Sequence, residues 1–588
     1  MNQTTYSQVW NLETIFQSGL ETKQPSEFIE AISEDLTILE KRLSNIGTCE
    51  KHDIERLLTL LANIKIRLSQ ATSYVTCLSA QGNRNPEALV HRGKTSELSA
   101  RYESLLLQIK RKLEKVNAAE LNTFPFIVSE WQNDLNSVTN SDEIMGMINA
   151  LSVDGFHAWG QMYQSFIGKM KIHMDINGRI KEFSVRQIIN FRSHSNEQVR
   201  KQAHDALEKQ CEVHEDFFAQ ILNHITGFRI TLYNETILYD SLKRNRLTKD
   251  SLDAMWQAVR TTEPISFVEY LNQKAILQGH EKMKAYNFWA PDTDKEQTYT
   301  FEEAAEFLIE NARKFGPELE QFTRNAFENG WIEAENRLGK HPIEFCASFP
   351  YTKESRVFLT YDGSITNVLT LAHELGHAFH NHAMKGENGL NRQYPLCIAE
   401  TSSTFYEMVI LEAALEKAVS EKDKLFLLNE KLKRSVMNFM NIHSRYIFEE
   451  RVYAERAKGM VSTERINEIM SESLNESYYG TLDNPSVRSW IWTPHFYLTK
   501  TPFYNYPYTF GYLLASSLHA KYKETGLLFE EKYIRLLRDS GKMSIEDLVR
   551  KHLGGDITKA SFWEKGMEIC TNEAKEYIRL SRKIKNSH

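Results

Sequence analysis

Apolar residues over the first 120 positions recur at helical spacing. Ile32, Leu36, Leu39, Leu43 and Ile46 step by four and three residues, which lines one face of a helix. Gly47 follows them and suits a helix C-terminus. Ile54, Leu57, Leu61, Ile64 and Leu68 repeat the stripe. After a Gly/Asn/Pro break from Gly82 to Pro86, Leu106, Ile109, Leu113 and Val116 form a third. Three such stripes predict antiparallel helices around a shared apolar core, with no chemistry of their own.

The period changes twice. Residues 172–176 and 179–183 alternate apolar and polar around Asn177-Gly178, the pair preferred where both central turn residues need positive φ, so a β-hairpin is expected. Helix resumes from about Val185, and Ser195 is the expected N-cap of a long run to about Tyr233. This change in pattern suggests a helical N-terminal domain over 1–185 and a second domain over 186–588. Strand character returns at Ile343, Phe345 and Arg356–Tyr361. Asp362-Gly363-Ser364 then turns the chain into a helix starting near Thr366.

Composition agrees with a mainly α chain. Among 588 residues there are 26 Gly and 13 Pro, well under the usual roughly 7% and 5%. Lys plus Arg total 71 against 78 Asp plus Glu, a net charge of -7, which argues against nucleic acid as a partner. The opening MNQTTYSQVW lacks a basic segment followed by an apolar run, and no stretch approaches 18 consecutive apolar residues. The six cysteines form no CxxC pair. A cytoplasmic protein with no membrane partner is expected.

The candidate chemistry lies on the helix after the Arg356–Tyr361 strand. His373-Glu374-Leu375-Gly376-His377 places two imidazoles four residues apart, on one helix face, where both can bind one Zn²⁺. Glu374 beside the first can reach a metal-bound water. His380 and His382 are nearby, but a supporting or surface place is expected for them. A third ligand is needed. A HExxHxxGxxH site requires Gly at 380 and His at 383, where this chain has His380 and Ala383. Glu387 lies in a Gly-rich turn. Glu400, 23 positions beyond His377, opens the next expected helix and is the expected ligand. Glu407, two turns further along the same face, is placed to accept a hydrogen bond from the far nitrogen of a ligand histidine.

A further block, Pro494-His495-Phe496-Tyr497 and Phe503-Tyr504-Asn505-Tyr506-Pro507-Tyr508 with Gly511-Tyr512, is dense in aromatic residues. An oxyanion on a scissile carbonyl needs donors, and His495 with a phenol from Tyr504, Tyr506, Tyr508 or Tyr512 could supply them. Tyr504 and Tyr508, spaced i, i+4, are the preferred pair.

Leu371–Ala378 followed by Ala399-Glu400-Thr401-Ser402-Ser403, together with the Pro-His-Phe-Tyr and tyrosine-rich blocks, resembles the M3 metallopeptidases, and within them the oligoendopeptidase F branch. The motifs span about residues 340–515. Pro507 stands where that branch has a polar residue such as Gln. The resemblance implies a large helical two-domain metallopeptidase, with a small sheet beside the HExxH helix and a deep channel that admits oligopeptides. The expected activity is zinc-dependent endopeptidase action with one Zn²⁺ per chain on His373, His377 and Glu400. Glu374 is the expected general base, with His495, Tyr504 and Tyr508 at the oxyanion. The Arg356–Tyr361 strand is expected to pair with substrate backbone. The alternatives are a zinc carboxypeptidase or dipeptidase of a related helical family, and a non-catalytic helical binding protein.

Overall fold

A computed structural model describes residues 5–16, 24–45, 50–82, 86–136, 142–176, 178–233, 236–262, 264–291, 298–337, 340 and 344–586. Helices dominate, as the low Gly and Pro content predicts. The strands are β1 (Lys171–Ile176), β2 (Arg179–Ser184), β3 (Met283–Lys284), β4 (Ile332–Glu333), β5 (Phe345–Phe349), β6 (Glu354–Phe358) and β7 (Leu482–Asp483). They form an antiparallel hairpin β1-β2, a parallel pair β3-β7 and a sheet of order β4-β6-β5. Among the described residues, no helix is long and apolar enough to cross a membrane.

The chain folds as two compact units, each built from three segments. The first comprises Met1–Thr139, Gln297–Ala413 and Lys521–Gly555, and the second Asn140–Glu296, Ala414–Ala520 and Asp556–His588. The division expected at 185/186 therefore falls inside the second unit. The reason is physical: hydrophobic period marks which face of a helix is buried, but not which distant segment buries it.

In the first unit, α1 (Gln24–Asn45), α2 (Lys51–Ala80) and α3 (Pro86–Lys112) carry the stripes read from the sequence. Ile32, Leu36, Leu39, Leu43, Ile54, Leu57, Leu61, Ile64, Leu68 and Ile109 share one core. Leu113 joins it from the turn after α3, and Leu106 and Val116 pack at its margin. Each fully buried side chain of this kind stabilises by about 1.5–3 kcal/mol. Leu390, far along the chain, completes the cluster. Ile46 and Gly47 lie outside the described residues.

A second cluster joins the N-terminal segment to the sheet: Trp10, Ile15 and Phe16 pack with Tyr74 and Cys77 of α2, Phe349 of β5 and Phe358 of β6. Arg356 of β6 is buried beneath it and donates to the Asn11 carbonyl at 2.7 and 2.9 Å, to Thr14 Oγ1 at 2.6 Å and to Glu354 Oε2 at 2.8 Å. The strand expected to receive substrate is the centre of this sheet. Val357, Leu359 and Tyr361 donate their N–H groups to the carbonyls of Trp331, Glu333 and Ala334, each at 2.9 Å. On the other side β6 pairs antiparallel with β5, from Phe345↔Phe358 to Phe349↔Glu354. Both edges of β6 are used, so it offers nothing to an incoming strand. The edge positions belong to β4 and β5.

In the second unit the hairpin has the expected register, Lys171↔Ser184 to Ile176↔Arg179, with Gly178 at φ 79°. Asn177 lies outside the described residues. Ser184 and Gln187 form a capping box at the start of Val185–Asn190. The long helix is Glu197–Tyr233. Asn196 fills its N-terminal capping position in place of Ser195, because its Oδ1 accepts the Gln198 N–H at 2.8 Å.

Candidate metal centre

Two helices of the first unit position the cluster. The His373 helix, Ile365–Ala383, starts behind Ser364, whose hydroxyl accepts the Asn367 N–H at 3.2 Å. Its buried Val368, Leu369, Leu371, Ala372, Leu375 and Phe379 anchor it. The Glu400 helix, Leu396–Lys417, follows Pro395, whose carbonyl accepts from Ile398 and Ala399. Gly376 sets the distance between the two. A Cβ there would lie 2.7 Å from Ser403 Cα and 2.8 Å from the Ser402 carbonyl oxygen. Ser402 Oγ also donates to the Gly376 carbonyl at 2.9 Å. The glycine inside the motif is thus a helix-contact residue, a role the spacing of the motif did not indicate.

This approach brings His373, His377 and Glu400 together, with one ligand atom of each within 4.8 Å of the others. Among the described residues this is the one group of three or more such donors able to hold a metal ion. The two imidazole rings are 5.0 Å apart at 84°. His373 Nε2 is 3.7 Å from Glu400 Oε2, and its Nδ1 is 3.4 Å from Glu407 Oε2. A ring that donates Nδ1–H to a carboxylate keeps its Nε2 lone pair for a metal. Two imidazole nitrogens and a carboxylate oxygen suit Zn²⁺ and leave a fourth position open, so the residues fit the ion that the motif implies.

The electrostatics agree. Burial raises the Glu374 carboxyl to about 7, with His373 opposing and Glu400 adding to the rise. Glu400 is also pushed up, chiefly by burial. For His373 burial acts downward, but Glu407, Glu374 and Glu400 outweigh it and lift the imidazole to about 9. Burial and the neighbouring His373 push His377 well below its usual value. Three carboxylates crowd two imidazoles, a balance that favours a cation among them.

The neighbouring polar residues have other partners. His380 is fully buried, and its Nε2–H donates to Ser540 Oγ at 2.9 Å and the Leu537 carbonyl at 3.3 Å. His382 pairs with Glu318 Oε1 at 2.8 Å, and Glu387 with Lys542 Nζ at 2.8 Å.

His495, Tyr504 and Tyr508 form a second group, in the second unit. His495 sits on the turn Pro494–Tyr497, Tyr504 precedes the helix Tyr506–Thr525 and Tyr508 lies in its first turn. The His495 ring is 5.0 Å from that of Tyr504 and 6.3 Å from that of Tyr508, and the two tyrosines are 6.0 Å apart. Tyr506 and Tyr512 are buried and committed elsewhere, Tyr506 to Asn245 at 3.1 Å and Tyr512 to Ser435 at 2.8 Å. Tyr504 and Tyr508 are half-buried. His495 Nδ1–H donates to Asn505 Oδ1 at 2.6 Å, and Arg445 Nη1 donates to the same oxygen at 3.3 Å. Burial and the Arg445 charge push His495 down to about 4, against the Asn505 hydrogen bond. The neutral ring therefore presents Nε2 as an acceptor. Sequence reasoning missed Asn505 and Arg445. Asn505 lay inside the aromatic block, but nothing local pointed to Arg445.

Residues 190–569 match the family model described as Peptidase family M3. The Oligoendopeptidase F homolog of Lactococcus lactis subsp. lactis (strain IL1403) is 22% identical over 620 aligned positions, covering 99% of this chain and 98% of that protein. Oligopeptidase PepF of Bacillus subtilis (strain 168) is 24% identical, covering 98% of this chain and 88% of that protein. The crystal structure of oligoendopeptidase-F from Enterococcus faecium superposes with a TM-score of 0.68 at 19% identity, over 95% of this chain and 99% of that one. A structure of PZ peptidase A with an inhibitor gives 0.71 at 16% identity, over 97% and 98%. These two likenesses show a shared large helical fold.

Proposed function

Since this chain belongs to peptidase family M3, we propose that it is a zinc-dependent endopeptidase that hydrolyses internal bonds of oligopeptides. The observation that supports this most is the convergence of His373, His377 and Glu400 within 4.8 Å on two packed helices, with Glu374 beside the first ligand. Zn²⁺ bound there would polarise a carbonyl and lower the pKa of a water. Glu374 takes the proton of the attacking water and returns it to the leaving amine. Glu407 fixes the tautomer and orientation of His373. The hydroxyls of Tyr504 and Tyr508 are the proposed donors to the oxyanion. His495 adds a donor only when protonated, and in its neutral form accepts a hydrogen bond at Nε2.

The test is a peptide blocked at both ends, incubated with and without chelator, with the products read by mass spectrometry. Internal cleavage that chelator abolishes and stoichiometric zinc restores is expected. Cleavage confined to peptides with a free C-terminus would favour the carboxypeptidase alternative. A chain with neither stoichiometric metal nor turnover would be a binding protein.

A further inference from the structure

A cavity of about 350 Å³ lies within the second unit, and among the described residues no acidic side chain lines it. Two arginines do. Arg192, in the turn Phe191–Ser193, holds its guanidinium carbon 4.4 Å from the centroid of the Trp492 ring. Arg445, on the helix Ile442–Arg456, spends one N–H on Asn505 Oδ1. Among the described residues neither guanidinium has a carboxylate within ion-pair distance. Glu208, the acid whose field reaches Arg192, is paired instead with Arg488 at 3.9 Å. The Trp492 indole N–H is buried in the same wall without an acceptor.

Guanidinium groups stay charged at any pH the protein meets, so two of them lining one cavity repel each other and, among the described residues, lack a counter-charge there. Burial pulls both down to about 10, and Arg192 adds to the pull on Arg445. A buried donor without an acceptor is also costly, and buried donors in folded chains nearly always have partners. Phe288, Leu474 and Leu482 share the wall with the polar side chains of Asn190, Asn441, Ser486 and Ser489, a mixed and partly dry lining that suits a weakly hydrated monoanion over a dianion.

We propose that this cavity binds one small monovalent anion, a halide or a carboxylate, held by Arg192, Arg445 and the Trp492 N–H. The site goes beyond the peptidase reading and does not rest on it. It adjoins the His495 group, because Arg445 Nη1 is 3.5 Å from His495 Nδ1. A bound anion would offset the charge that, with burial, holds His495 neutral.

The test uses the full-length protein in sodium HEPES, titrated with sodium chloride, sodium acetate or sodium sulfate at constant sodium concentration, with thermal midpoint as the readout. A ligand that binds only the folded state gives a rise following its own saturation curve. The expected result is a saturable rise with chloride, acetate or both. Arg192→Glu, which gives Arg445 an internal carboxylate, should fold and lose the response, and Arg445→Gln should lose it as well. Competition by a peptide with a free C-terminus, but not by its amide, would identify the occupant as a peptide carboxylate, and no competition would identify the free ion. The proposal is overturned by a non-saturating shift common to all salts, by a response to sulfate alone, or by a response that survives in Arg192→Glu.

Discussion

Glu407 Oε2 stands 3.4 Å from Nδ1 of His373, while Glu400 Oε2 stands 3.7 Å from Nε2 of the same ring. One helix thus supplies both the carboxylate that joins the ring at a metal and the carboxylate that orients it. Removing the outer partner of a ligand histidine typically costs 10–100-fold in metal affinity. Glu407→Ala should therefore weaken zinc binding by about that factor, measured by competition with a chromogenic chelator, while Glu407→Gln, which keeps an acceptor oxygen, should lose less. Unchanged affinity in Glu407→Ala would remove the residue from the site.

Glu374 has a different kind of role, because it is the acid of the motif left outside the ligand set. Glu374→Gln should keep stoichiometric zinc and lower kcat/KM by about 10²–10⁴-fold or more, the usual contribution of a positioned acid–base group. Activity within tenfold of the parent enzyme would place the general base elsewhere.

Gly376 tests the helix contact itself. An added Cβ meets backbone atoms of Ser402 and Ser403, which cannot rotate away as a side-chain tip would. Gly376→Ala should cost about 1–3 kcal/mol, as overpacking does, with zinc occupancy falling alongside the thermal midpoint. Normal stability with normal occupancy would mean that the two helices need not approach so closely.

His380 makes stability depend on pH. Burial pushes its imidazole down to about 3, with Arg392 in the same sense and the Leu537 carbonyl opposing. The folded value lies below the ordinary one near 6.5, so this stability is present above pH 6.5 and lost as pH falls toward 3. The unfolded chain gains a proton that the folded one refuses. Between pH 6.5 and 5 the loss is about 2 kcal/mol, at about 1.4 kcal/mol per unit. His380→Leu should flatten that limb in urea unfolding followed across pH, and an equally steep limb would assign the loss to other groups.

Arg356 ties the N-terminal segment to the sheet through Asn11 and Thr14. Arg356→Met leaves those acceptors and Glu354 without their donor. It should destabilise by about 3–5 kcal/mol, the cost of breaking a buried ionic contact, and should open residues 5–16 to limited proteolysis. Equal protease resistance in the two forms would show that Trp10 and Phe16 hold the segment by packing alone.

Local pattern carried a large part of this protein. The helical stripes on α1 and α2 and the hairpin around Asn177-Gly178 depend on geometry within a few residues, which a chain states in its own order. The same is true of His373 and His377, four residues apart on one helix, and Glu400 with Glu407 could be placed by helical period on the next. Tertiary structure alone decided the rest. Three separated segments build each unit, and β6 lies at the sheet centre where a substrate-pairing edge was expected. Gly376 proves to be the contact between two helices, and Arg192 and Arg445, more than 250 positions apart, share a cavity. Each of these results from packing between residues distant in the chain. No periodicity encodes such a choice, because it is made by which surfaces fit once the helices exist.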